Sequence, residues 1–203
     1  MTPKAPFVCI EPIWAGATVV CAGSGPSLTV EDLDVCRGKS KVIVVNDAYT
    51  LAPWADLLYA ADAKWWAWHK GVKDFAGRKV TIEPQPQAWP GLQVLHNTGK
   101  EGLERTRTGL RTGSNSGYQA INLAVHLGAA RIILLGYDMK GTHFFGKHRD
   151  GSVPPFQACL RLFPTLVKPL AALGIPVINA TRSTALTTFP CLPLDLALAE
   201  VAA

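Results

Sequence analysis

Short apolar runs alternate along the chain with segments of helical spacing. The run Ala17 to Ala22 (ATVVCA) ends in a glycine-rich turn and Val42 to Val45 (VIVV) ends in Asn46-Asp47, so both predict strands of a parallel sheet buried on its two faces. Between them, Ser27 to Leu33 offers a Ser or Thr cap followed by acidic residues, the start of a short crossover helix. Leu57 to Ala61 predicts a third strand with Asp62 at its exit, and Ala63 to Lys70 a helix loaded with Trp65, Trp66 and Trp68, residues that at this spacing favour packing on a core. From Pro84 to Arg111 prolines and glycines interrupt the chain, leaving only a short strand pattern at Leu92 to Leu95. Ser116 to Leu127 then predicts a helix stopped by Gly128, followed by a strand at Arg131 to Leu135 that runs into Gly136-Tyr137-Asp138. A final helix is expected from about Pro155 to Leu173, and a last strand at Pro176 to Ile178 that exits into Asn179 to Ser183.

Strands alternating with helices imply an α/β fold, a single doubly wound and mostly parallel sheet of modified Rossmann-like kind with helices on both faces. One nucleotide-binding domain is expected over residues 1–203, with its core at about 17–183 and residues 84–111 as a loop-rich insertion or lid. The chain's 203 residues, 48% of them hydrophobic, suffice for one self-supporting core. The five cysteines are odd in number and lack zinc-site spacing, so they read as reduced thiols, and with no run of the ~18 apolar residues a membrane span needs, a cytoplasmic location is expected. A net charge of +5 suits an anionic ligand, a nucleotide-containing small molecule before a nucleic acid, and a homo-oligomer is allowed.

Sheets of this kind bind ligands at the C-terminal ends of their strands, which makes the polar exits Ser24, Ser27, Asn46, Asp47, Asp62, Asp138, Asn179 and Ser183 the site candidates. Gly23-Ser24-Gly25-Pro26-Ser27 follows a strand and opens a helix, a context in which backbone N–H groups approach a phosphate. Leu28 stands where the dinucleotide pattern has its third glycine, and no G-K-[ST] follows, so dehydrogenase and P-loop readings are disfavoured. Thr112 to Gly117 forms a second small polar turn at a helix start, in which Ser114 or Ser116 would cap the helix, bind an anion or sugar, or do both. Thr142-His143-Phe144-Phe145-Gly146-Lys147-His148 places two imidazoles after a strand exit, where a histidine can serve as a general base or contact a phosphate. The spacing of His143 and His148 does not suit a metal pair. Asp62 and Asp138 could hold a divalent metal on phosphates or bind ribose hydroxyls.

Ala22-Gly23-Ser24-Gly25-Pro26-Ser27-Leu28 resembles the opening of bacterial sialyltransferases that use CMP-sialic acid, an opening shared with archaeal 6-hydroxymethyl-dihydropterin pyrophosphokinases. Val44-Val45-Asn46, the block from Ser116-Gly117 through Gly128 to Gly136-Tyr137-Asp138, and Thr142 to Gly146 are similar to further segments of those families in the same order. The resemblance implies that Ser24, Asn46, Ser116, Gly117 and Asn179 contact a nucleotide. It implies that His143 deprotonates an acceptor hydroxyl; charge on the departing phosphate would then need neighbouring donors, for which Lys147, His148 and Arg182 are candidates. In that scheme the nucleotide sugar is a substrate, no cofactor is tightly held and no metal is required. Ser24 stands where the sialyltransferases carry asparagine, and Tyr59-Ala60-Ala61-Asp62 is closer to the pyrophosphokinase branch, which implies the alternative of ATP with Mg²⁺ held by Asp62 and Asp138. A third reading is a non-catalytic module that binds a nucleotide or nucleic acid through the basic middle segment.

Overall fold

A computed structural model describes residues 7–82, 89–147, 149–152 and 154–199. Eight strands form one sheet: β1 (Thr18–Ala22), β2 (Lys41–Val45), β3 (Leu57–Tyr59), β4 (Arg78–Ile82), β5 (Leu92–Asn97), β6 (Gly109–Leu110), β7 (Arg131–Leu135) and β8 (Val177–Asn179). Their order is β6-β5-β4-β3-β2-β1-β7-β8, and every neighbouring pair is parallel. The chain lays β2 to β6 outward on one side of β1, then crosses back to set β7 and β8 on the other. The direction of winding therefore reverses between β1 and β7, where Thr18 to Ala22 pair with Arg131 to Leu135. At such a reversal the connections leave to opposite faces and open a crevice above the strand ends.

Strand alternation feeds two cores. Val19, Cys21, Ile43, Val45, Ile132 and Leu134 face one side, while Val20, Ala22, Val42, Val44, Ile133 and Leu135 face the other. The first side is covered by α3 (Ser116–His126), α4 (Phe156–Leu160) and α5 (Val167–Ala172), the second by α1 (Val30–Cys36), α2 (Ala63–Trp68) and α6 (Leu194–Ala199). Thr29 caps α1 in a reciprocal box with Asp32. Trp65 and Trp66 are buried against the second core. No helix among the described residues is long and apolar enough to cross a membrane.

Three differences from the sequence expectations have local causes. Strand β4 and the two-residue β6 were not expected, and with β5 they turn residues 89–111 of the loop-rich stretch into the outer edge of the sheet. The last helix is broken into α4, a 3₁₀ turn at Phe163–Leu166 and α5, because Pro164 and Pro169 withhold main-chain donors. Helix α6, beyond the expected core, closes over the second face with Ala197.

The edge segment is tied to α3 by Asn122, whose Oδ1 accepts from the Glu104 and Arg111 amides (2.9 and 3.2 Å) and whose Nδ2 donates to the Glu104 carbonyl (3.0 Å). Hydrogen bonding from the Thr98 side chain, then from the Thr106 amide, holds the Glu104 carboxyl down at about 2 against an ordinary 4.5, and Arg111 adds to this. A depressed carboxylate stabilises the fold above its unfolded pKa and loses that contribution as pH falls toward its folded one. Denaturation midpoints measured between pH 5 and 2 are expected to show wild type losing stability relative to Glu104→Gln as the pH drops through this window. Parallel curves for the two proteins would contradict the account.

Candidate functional site

The β1 and β7 exits touch through main chain. The Gly23 amide donates to the Leu135 carbonyl and the Gly25 amide to the Gly136 carbonyl, both at 2.8 Å. A methyl group at Gly23 would stand 2.7 Å from the Gly136 oxygen, and one at Gly25 would strike both that oxygen and the Asp138 carboxylate. Gly136 itself lies in the left-handed region, at φ +65°, and a methyl there would crowd the Leu28 side chain at 3.0 Å. Leu28 can thus replace the third glycine of the dinucleotide pattern because the close approach is provided from the β7 side.

Asp138 fastens this contact. Its carboxylate accepts from the Ser27 amide (3.1 Å) and the Ser27 hydroxyl (2.9 Å), and the residue is 2% exposed. Burial raises its pKa, and the two Ser27 hydrogen bonds pull it back. On the outer side of the same turn, Arg182 pairs with Asp32 at 2.6 Å and donates to the Ser27 carbonyl at 3.4 Å. Ser24 links the turn to its other neighbours: its hydroxyl donates to the Val45 carbonyl at 2.9 Å, and its carbonyl accepts from the Phe144 amide at 3.1 Å.

Above these exits lies a cleft of about 310 Å³. Gly23, Ser24 and Gly25 line it from β1, Asn46 from β2 and Asp62 from the start of α2. Ser116 and Gly117 line it from the start of α3, and His143 from the loop after β7. Asn46 has a left-handed backbone (φ 51°), and its side-chain oxygen is buried without a hydrogen-bond partner. A buried acceptor left open in this way costs free energy unless a ligand or water fills it. Asn115 caps α3 by accepting from the Tyr118 amide at 3.1 Å, which leaves the first-turn amides of Ser116 and Gly117 without intrahelical partners. His143 forms a reciprocal main-chain bridge with Gly146, its ring stacks on Phe145 at 4.8 Å, and Phe156 meets it edge-on at 6.5 Å.

Several expected site residues are elsewhere: Asp47 accepts from Trp65 and faces His69, Arg182 is paired with Asp32, and Lys147 does not line the cleft. Asp138 and Ser27 are engaged with each other, and Ser183 is exposed outside the cleft. Asn179 is fully buried, donating to Thr184 Oγ1 and the Leu186 carbonyl and accepting from the Thr181 amide; it shapes the turn after β8. His148 lies outside the described residues. The sequence reading missed Met139, Ser152, Pro154, Pro155 and Phe156, which wall the cleft below His143, and it missed that Asn115 is the α3 cap. Ser114 and Met139 also line the cleft with left-handed backbones, at φ 52° each. Among the described lining residues there is no lysine or arginine, and Asp62 is the sole carboxylate. Among the described residues no three His, Cys, Asp or Glu side chains gather as a metal-binding set.

No protein-family model matches the sequence, and no curated protein matches it. Among solved structures, a short-chain dehydrogenase from Oenococcus oeni PSU-1 aligns over 91% of this chain and 87% of that one, at 12% identity and a TM-score of 0.29. A likeness that distant decides nothing about the cleft, so its chemistry is argued from its own residues.

The Ser27–Asp138 contact makes the turn a defined object, and its loss is measurable. Asp138→Ala is expected to cost about 2 kcal/mol in urea unfolding, the range for orphaning buried donors, and Asp138→Asn less because one acceptor remains. Equal stability of Asp138→Ala and wild type would show that the turn holds without the carboxylate.

Proposed function

We propose that the chain is a glycosyltransferase that takes its sugar from a nucleotide donor of the CMP-sugar kind and passes it to a hydroxyl acceptor. The observation that carries this reading is the composition of the cleft. Uncommitted main-chain donors at Ser116 and Gly117, the open acceptor of Asn46 and the imidazole of His143 line one cavity that holds no lysine or arginine among its described residues. Oriented N–H groups and a helix start can meet the single negative charge of a phosphodiester. The several charges of a triphosphate call for cationic side chains or a metal.

In this reading the donor's phosphate rests on the Ser24 turn and the first turn of α3, and the Asn46 side-chain oxygen accepts from an amino or hydroxyl group of the nucleoside. His143 takes the proton from the acceptor hydroxyl as its oxygen attacks the anomeric carbon. The bond from that carbon to the phosphate oxygen breaks, and the nucleoside monophosphate leaves with the electron pair. Donors already aimed at the phosphate stabilise the charge that grows on it without reorganising.

The alternative is Mg²⁺-dependent phosphoryl transfer from ATP, for which Asp62 and Asp138 would share the metal. Asp62 lines the cleft, while the Asp138 carboxylate is engaged with Ser27, so the pair has less support than the donor set at α3.

Thermal unfolding with CMP, UDP, ADP and ATP, each with Mg²⁺ and with EDTA, separates the two, because a ligand of the folded state must raise its midpoint. Stabilisation by CMP in EDTA is expected. His143→Ala should keep that stabilisation while turnover of a CMP-sugar falls on the order of 10²–10⁴-fold, the usual worth of a general base. Stabilisation by ATP alone, and only with Mg²⁺, would replace this proposal with the phosphoryl-transfer reading.

A further inference from the structure

A second cavity, of about 360 Å³, lies beside the cleft and is lined by Tyr49, Pro53, His69, Lys70, Val72, Lys73, Asp74 and Phe75. Its wall contains a hydrogen-bonded chain of side chains. The Tyr49 hydroxyl meets His69 Nδ1 at 3.0 Å, His69 Nε2 faces Asp47 Oδ1 at 3.4 Å, and the other Asp47 oxygen accepts from Trp65 Nε1 at 2.9 Å. Trp65 also stacks on the imidazole, with ring centres 4.2 Å apart. Burial holds the His69 pKa below its ordinary value, Asp47 opposes this, and the positive charge of Arg149 adds to it. A neutral imidazole that gives its Nε2–H to Asp47 presents Nδ1 as acceptor to Tyr49, so one tautomer satisfies the whole chain.

Two features set this cavity apart from an ordinary surface dent. The first is its backbone. The five non-glycine residues with left-handed φ among the described residues all line one of the two cavities: Asn46, Ser114 and Met139 the cleft, and Lys70 and Val72 this one. At φ 43° Val72 is a β-branched residue where such residues are rarely found. The turn is held by the buried ammonium of Lys79, which donates to the Gly71 carbonyl at 3.0 Å. Strain kept in place by its surroundings is characteristic of binding sites.

The second feature is charge. Where the cleft has no lysine or arginine among its described lining residues, this cavity has Lys70 and Lys73, neither of them in a salt bridge to another described residue, against Asp74 at the same rim. Arg149 adds a further positive charge, felt at both Tyr49 and His69. It stands on the stretch after β7 that carries His143, so that stretch lines the cleft and also adds charge near the second cavity. The 3₁₀ helix Asn46–Thr50 joins them as well, since Asn46 lines the cleft, Asp47 anchors the imidazole and Tyr49 lines the second cavity.

We propose that this cavity is a second ligand site that takes a carboxylate or phosphate group, with Lys70 and Lys73 meeting its charge beside the Tyr49–His69–Asp47 chain. The anion site stands on its own residues and does not rest on the function proposed above.

The test is an NMR titration of the whole chain with inorganic phosphate and, separately, with malonate, at ionic strength held constant with sodium chloride. The Trp65 indole N–H and the His69 ring signals are expected to move saturably with at least one of the two anions. Lys70→Gln/Lys73→Gln should weaken that response tenfold or more. CMP should move the Ser116 and Gly117 amides equally in wild type and the lysine variant. The anion that saturates tells phosphate from carboxylate. No saturable movement, or an unchanged response in the lysine variant, overturns the site. Saturable anion binding without any response to CMP would retain the site and remove the transferase reading.

Discussion

The contact between the Gly23–Gly25 main chain and the Gly136 carbonyl governs the whole C-terminal edge of the sheet. It brings the β1 and β7 exits closer than side chains would allow, and Asp138 locks the approach by holding Ser27 from across the sheet reversal. With that distance set, Ser24 can reach the Val45 carbonyl, and the loop after β7 can return its Phe144 amide to the Ser24 carbonyl. The positions of Asn46, His143 and the α3 start around one cavity follow from this small region of main chain. A methyl group at Gly25 would push on Asp138 and Gly136 together, so the turn has little freedom to adjust one wall of the cleft without moving the other.

The distribution of charge is the second organising fact. The chain carries a net +5, yet the cleft at the sheet reversal draws none of it from its described lining residues. Apart from Asp62, its described lining offers backbone dipoles and uncharged side chains, groups that the fold orients in advance. The lysines stand instead around the turn after α2, next to an aromatic and imidazole network whose members satisfy one another. Two neighbouring cavities, one whose described lining holds no lysine or arginine and one that carries two lysines, can discriminate different ligands without sharing residues.

Much of this architecture was legible in the sequence where local pattern and tertiary role coincide. Strands β1, β2 and β7 are unbroken apolar runs with polar exits, and α3 carries a helical stripe between a polar cap and Gly128. The cleft's glycine turn, Asn46 and the start of α3 followed from those exits. Strand β4 was hidden because Arg78, Lys79 and Thr81 break its apolar pattern, whereas Lys79 is buried against the Gly71 carbonyl and Thr81 is fully buried beside the Ala61 carbonyl. Asp138 read as a chemical carboxylate because it stands at a strand exit; that it faces Ser27 depends on a pairing 111 residues apart. The second cavity was illegible for the same reason, since Asp47, Tyr49 and His69 meet only when the 3₁₀ turn after β2 packs on α2.

The position of β1 also has a consequence for how the molecule is made. Its two neighbours are β2, some twenty residues on, and β7, which begins at Arg131. During synthesis β1 therefore waits with one hydrogen-bonding edge bare until β7 has emerged, and the apolar faces of Val19 to Ala22 wait with it. Pairings of such sequence separation form slowly and leave strand edges open to other chains in the interval. The reversal that opens the cleft thus also creates a period of vulnerability during biosynthesis, one that ends when α3 and β7 close the sheet.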